Sequence, residues 1–284
     1  MKRSQRQTVP AGTPRTNRLS DAPSAVNAAF DEDAHDSLTA LRSFVAPEDL
    51  SVVFQPIIDI TSGRTFAYEA LVRCRVVEYK NPIRLFEKAV ELGCAGRLGR
   101  MIREIGVPHG SGKPLFVNIH PKELSEGWLV RPDDPILSHD DDVYLEVTES
   151  VPLSHYELCM SVLKEVVSHV GVHLVVDDLG AGYSNLKRIS DLEPKVVKLD
   201  RDLIMGLDRS RRQQELVTAV VDLCRRLGAT VVAEGIETHD EYSAVLDTGT
   251  EYGQGFLFAR PSFPPPEVSF PPAAETTSVR KIRG

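Results

Sequence analysis

The sequence predicts an α/β fold, a TIM-like (β/α)8 barrel with an antiparallel first strand. Short apolar runs alternate with amphipathic helical stretches from Ser51 onward, and eight such runs fit between Ser51 and Pro261. The first two runs are separated only by Thr61, Ser62 and Gly63, which is hairpin spacing, whereas later runs are separated by helical stretches. A doubly wound open sheet is the structural alternative, because periodicity defines the units and not their closure.

Residues 1–45 are rich in Arg, Thr, Ser, Pro and Ala and read as a disordered tail, with a short helix leading in between Asp36 and Leu50. The segments 51–59 (SVVFQPIID) and 64–73 (RTFAYEALVR) form the expected hairpin. Helical periodicity follows through Phe86, Ala89 and Val90, then through Leu98, Met101, Ile102 and Ile105, with a break near Gly93. The third and fourth strands are expected at 114–120 and 143–149, and Ser154 with Glu157 has capping-box spacing for the next helix. The fifth to seventh strands are expected at 172–178, 195–200 and 229–234. An amphipathic helix from Arg211 to Leu227 presents Leu216, Val220, Leu223, Cys224 and Leu227 on one side. Thr238 and Glu241 make a second capping box, an eighth strand is expected at 252–258, and the domain should end near 265, before a disordered tail over 266–284.

Composition narrows the function. The 284 residues carry a net charge of −8, which argues against a partner that is polymeric nucleic acid, since such binders present a basic face. Four separated cysteines without a CxxC pair suit a reducing cytoplasm, and no apolar run is long enough for membrane insertion.

Chemistry collects at the strand ends. The run VVDDLGAGYSN (175–185) stops at two adjacent carboxylates, Asp177 and Asp178. On its own this pair reads equally as a buried acceptor followed by a helix cap or as a metal site. Other polar residues in or just after apolar strands are Glu69, Asn118, Glu146, Glu149, Lys198, Asp200, Glu234, Glu237 and Gln254. From Asn118 through Glu146, Asp177, Lys198, Glu234 and Gln254 the intervals are 28, 31, 21, 36 and 20 residues, about one βα unit each. In a barrel these positions converge on one rim. So many carboxylates could not all stay ionised beside Lys198 and Arg73 alone, so two divalent cations, Mg²⁺ or Mn²⁺, are the expected cofactors. Such a pair suits displacement at phosphorus. Alternation places Arg73 on the same face as Glu69, where it can reach a phosphate, and gives Glu146 and Glu149 opposite parity. The histidines stand near no nucleophile motif, and no GxSxG elbow or GxGxxG loop is present.

Eight ordered motifs together resemble the EAL domain family of cyclic di-GMP phosphodiesterases. They are FQPI (54–57), EALVR (69–73), FVNIHP (116–121), LEVTES (145–150), VDDLGAGYSN (176–185), VVKLD (196–200), VVAEGIET (231–238) and YGQGFLFARP (252–261). The resemblance implies a bacterial, cytoplasmic enzyme that hydrolyses cyclic di-GMP to linear pGpG by two-metal activation of water. It implies one metal held by Glu69, Asn118, Glu146 and Asp177, and a second held by Asp177, Asp178 and Glu234. Lys198 would orient the attacking water and Glu234 also has a general-base role, while Gln55, Arg73 and Gln254 would meet substrate. Glu149, Asp200 and Glu237 would support the site, Glu149 by bracing a loop linked to homodimer formation. The chain departs from the family at Leu179 and Asn185, where Phe and Ser are usual, and follows it only loosely from Val76 to Gly110. The alternative is a catalytically silent cyclic di-GMP receptor or interaction module on the same barrel, although every implied ligand is in place.

Overall fold

The computed structural model describes residues 36–110, 112–129, 131–148, 156–180, 186–268 and 270. Eight strands close into a barrel in sequence order. They are β1 (Leu50–Asp59), β2 (Arg64–Cys74), β3 (Leu115–Asn118), β4 (Val143–Thr148), β5 (His173–Leu179), β6 (Val196–Leu199), β7 (Thr230–Ala233) and β8 (Tyr252–Gly253). Closure decides between the barrel and the open sheet that periodicity left undecided. β1 runs antiparallel to both β2 and β8, and the remaining neighbours are parallel. The helices are α1 (36–42), α2 (Pro82–Glu91), α3 (Ala95–Gly106), α4 (Pro121–Ser125), α5 (Tyr156–Val170), α6 (Leu186–Leu192), α7 (Arg201–Ile204), α8 (Arg211–Arg226) and α9 (His239–Asp247). Among the described residues no helix is long and apolar enough to cross a membrane.

Strand alternation explains how the barrel is filled. Ile57, Ala67, Phe116, Tyr144, Val175, Val196 and Val232 form a buried interior layer, with Phe66 and Tyr252 packed against it. The Phe116 and Tyr144 rings stack 4.4 Å apart within it. Because side chains on one strand face repeat every second residue, Glu69, Asn118, Glu146, Asp177, Lys198, Glu234 and Gln254 occupy the next layer toward the C-terminal rim. Each stands two residues after an apolar member of the layer below. A larger cluster lies between the strands and the helices and includes Leu145, Val176, Val197, Val217, Val221 and Val231.

The structure departs from expectation in three places. β8 is only Tyr252–Gly253, because the chain turns sharply at Gly255, where an added Cβ would lie 2.0 Å from the Ile236 carbonyl oxygen. It then returns beside β1, where Phe54 and Ser262 form an antiparallel bridge. In α8 the buried face is Val217, Val221 and Cys224, whereas Leu216 and Leu227 are 52% and 44% exposed. The predicted stripe was rotated, because this helix mixes apolar and polar side chains on both faces.

The packed chain also runs beyond the expected limits of 46 and 265. Leu41 of α1 and Val45 are buried against α2, α3 and the outer side of β2. No helix separates β1 from β2, so the chain after Pro261 covers part of that hairpin instead. The Tyr68 hydroxyl donates to the Pro266 carbonyl at 3.0 Å, and Phe270 packs on Tyr242 and Phe258. The expected capping box at Ser154 lies outside the described residues.

Candidate metal centre

The rim gathers five carboxylates around one ammonium. Lys198 Nζ lies 2.6 Å from Glu234 Oε1, 2.8 Å from Glu146 Oε1, and 3.4 Å from both Glu69 Oε2 and Asp177 Oδ1. Asp178 completes the group, since Asp177, Asp178 and Glu234 each offer an oxygen within 4.8 Å of the others.

Adjacent residues of a regular strand point to opposite faces, so Asp177 and Asp178 should not meet at one site. A local irregularity allows it. Val176 pairs with Val197 but Leu179 with Leu199, so β5 carries one more residue than β6 over this stretch. Asp178 takes up the extra residue with φ at 59°, a left-handed conformation that Asp tolerates better than most side chains. The turn continues through Gly180, whose φ is 114° and whose missing Cβ leaves room for Leu203.

The oxygen cage is partly pre-oriented. Asn118 Nδ2 donates to Glu69 Oε1 at 3.0 Å, and Gln254 Nε2 donates to Glu69 Oε2 at 2.7 Å. Both oxygens of Glu146 and Oδ1 of Asp177 are buried without a hydrogen-bond partner among the described residues, although Lys198 approaches two of these oxygens as an ion pair. Buried carboxylate oxygens left in this way fit a cation.

Electrostatics agree. Burial, with repulsion from Glu69 and Asp177, holds the Glu146 carboxyl well above its ordinary range. Burial raises Asp177 as well, against the pull of Lys198. Asp178 is pushed up to about 6 by burial and by Asp177, and Glu234 to about 8 by burial despite Lys198. Burial alone would raise Glu69, but Lys198, Gln254 and Asn118 outweigh it and lower that group. Burial would neutralise Lys198, yet its carboxylate neighbours hold the ammonium well above its ordinary value. One lysine does not balance the cluster, and hard oxygen ligands of this kind suit divalent cations.

The other expected residues take more peripheral places. Gln55 faces Glu69 across the β1–β2 pair and lines a cavity of about 320 Å³ with Arg201, Glu234, Glu237, Gln254 and Phe256. Arg73 lines a larger cavity of about 570 Å³ that reaches Glu69, Asn118 and Asp178, and its Nη1 donates to the Val72 carbonyl at 2.9 Å. Asp200 caps α7, accepting from the Asp202 amide at 2.7 Å, while Glu237 pairs with Arg201 at 3.0 Å. Gln254 is 3% exposed and is engaged with Glu69. Glu149 and Asn185 lie outside the described residues. Sequence reasoning missed Arg201, whose one signal was its place directly after Asp200, and Phe256 in the turn after β8.

Fold and site together define a closed (β/α)8 barrel with a candidate cation site of carboxylate oxygens at the C-terminal rim. A family model for the EAL domain matches residues 39–261, and the chain belongs to that family. A cyclic di-GMP phosphodiesterase of Pseudomonas aeruginosa is 30% identical over 80% of this chain and 41% of its own. The chain thus spans well under two thirds of the first curated relatives it matches. Among solved structures, the PaMucR phosphodiesterase in complex with c-di-GMP is 26% identical, with 81% of this chain and 97% of that one covered and a TM-score of 0.66. BlrP1 of Klebsiella pneumoniae with manganese and cyclic di-GMP is 27% identical, with 84% and 66% covered and a TM-score of 0.62.

Proposed function

We propose that the chain is a metal-dependent phosphodiesterase that hydrolyses cyclic di-GMP to linear pGpG. The observation that carries this is the convergence of Glu69, Asn118, Glu146, Asp177, Asp178 and Glu234 around Lys198 at one rim. The names of the relatives support the substrate.

Glu69, Asn118, Glu146 and Asp177 would hold one cation, and Asp177, Asp178 and Glu234 a second, either Mg²⁺ or Mn²⁺. When bound, the pair supplies charge neutralisation at the phosphate and a more acidic water. Gln254 and Asn118 fix the orientation of Glu69, and the Lys198 ammonium, held among the carboxylates, would donate to the attacking water and orient it. The water oxygen bonds to phosphorus, the bond from phosphorus to one ribose 3′ oxygen breaks, and that oxygen takes up a proton. Glu234, at the edge of the cluster beside Lys198, would receive the proton that the water loses. Arg73 and Gln55 flank the centre from the two cavities, where they can meet the phosphate and the rest of the dinucleotide.

We take the domain to span 46–265, with packed segments flanking it on both sides, and to act in the cytoplasm as a homodimer. Sedimentation of the purified chain tests the second point. For the activity, the full chain is incubated with cyclic di-GMP and Mn²⁺ or Mg²⁺ and the products are separated by chromatography. pGpG is expected, and a bound but intact dinucleotide at metal saturation overturns the enzymatic reading in favour of a receptor.

A further inference from the structure

Outside the rim, among the described residues, one charged cluster is as deeply buried as the site itself. Arg103 of α3 is 2% exposed, Glu123 of α4 is 0% and Asp134 is 2%. Arg103 Nη1 donates to Glu123 Oε2 at 2.6 Å, and its Nε and Nη2 donate to Asp134 at 2.9–3.2 Å. Burying an arginine and two carboxylates is costly unless their geometry is well satisfied, and hydrophobic side chains often stabilise such a position better. Its placement suggests what it is for.

Glu123 uses its second oxygen, Oε1, to accept the backbone amide of His120 at 3.0 Å. His120 caps α4 and lies two residues after Asn118, the end of β3. The segment between them is tied to the neighbouring strand, because the Ile119 amide donates to the Glu146 carbonyl at 3.0 Å. Asn118 in turn holds Glu69 at 3.0 Å. The fold makes room for this chain of contacts: an added Cβ at Gly99 would lie 2.0 Å from a Glu123 carboxylate oxygen. Asp134 also caps the turn at Ile136, so the guanidinium joins α3, α4 and the chain leading to β4.

We infer that Arg103, through Glu123, is a positioning residue for the metal centre: it fixes the turn after β3 and thereby the direction of Asn118. Arg103 does not touch the centre, and the inference rests on Asn118 being a metal ligand. Partners beyond the direct ligands commonly change metal affinity about 10–100-fold.

The test measures Mn²⁺ binding by calorimetry, together with kcat and KM for cyclic di-GMP, in the wild type and in Arg103→Met, Arg103→Lys, Glu123→Gln and Arg100→Met. Arg100 is the control. It sits on the same helix and pairs with Glu104 and Asp133, whose side chains are 38% and 60% exposed, so its loss removes ion pairs that do not include Glu123 or Asp134. Arg103→Met is expected to weaken Mn²⁺ binding at least about tenfold and to lower kcat more than it raises KM. Arg103→Lys should recover part of both, and Arg100→Met should stay within twofold of wild type. Glu123→Gln keeps the acceptor for His120 and should fall between wild type and Arg103→Met; it decides the matter if Arg103→Met does not fold. Folded variants with lower melting temperatures but unchanged Mn²⁺ affinity overturn the positioning role. So does equal weakening in Arg100→Met. A wild type that binds no Mn²⁺ instead overturns the metal-centre reading beneath it.

Discussion

Lys198 Nζ and Glu234 Oε1 stand 2.6 Å apart inside a cluster that is otherwise acidic. The lysine is 1% exposed, so this ammonium is the internal counter-charge of the rim. Lys198→Met should therefore destabilise the protein in chelator by about 3–5 kcal/mol, the usual cost of leaving one side of a buried pair unmatched. Urea unfolding at neutral pH measures it, and the deficit should shrink when Mn²⁺ is in excess. No loss of stability in chelator contradicts this role.

The raised carboxyls give pH dependence a definite sign. Asp178 at about 6 and Glu234 at about 8 hold protons that a bound cation must displace. Mn²⁺ affinity should rise with pH, most steeply between about 6 and 8, with proton release seen by calorimetry in buffers of different ionisation heat. The metal-free protein should behave oppositely. Groups whose folded pKa lies above the unfolded value stabilise fully below the unfolded value, and that contribution is lost as pH rises through about 8. A pH-independent metal affinity contradicts the assignment of these two ligands.

Asp178 combines a ligand role with an unusual backbone. Asparagine tolerates φ of 59° as well as aspartate does, so Asp178→Asn should melt within a few degrees of wild type. It should nevertheless lose affinity for one of two cations by about tenfold or more, read as a second, weaker step in calorimetry. Wild-type metal binding in this variant removes Asp178 from the centre.

Gln254 was expected to meet substrate, but its amide nitrogen is 2.7 Å from Glu69 Oε2 and its side chain is buried. Gln254→Leu should lower kcat about tenfold while leaving KM for cyclic di-GMP nearly unchanged. Steady-state kinetics separate the two roles, and a rise in KM alone restores the substrate contact.

Much of this site was legible because strand alternation and βα spacing both act on the sequence directly. An apolar residue followed two positions later by Glu146, Lys198 or Glu234 marks an interior layer and then the rim. Closure was legible only from the number of strands and the eight motifs taken together, since it depends on β1 pairing with β8 rather than on any single segment. The convergence of Asp177 and Asp178 required the β5 irregularity, which no composition announces. Arg103 resembles any solvated arginine on a helix until Glu123 and Asp134 are brought to it from 20 and 31 residues away. The buried face of α8 was misplaced because Leu216 and Leu227 look like core residues and are exposed.

The most direct test of the account is turnover of cyclic di-GMP by the full chain as Mn²⁺ is titrated, with Asp177→Ala measured alongside. The account predicts pGpG production that rises with metal, vanishes in chelator and falls by at least about 100-fold in Asp177→Ala. Hydrolysis that persists in chelator, or that is unchanged in Asp177→Ala, would contradict it.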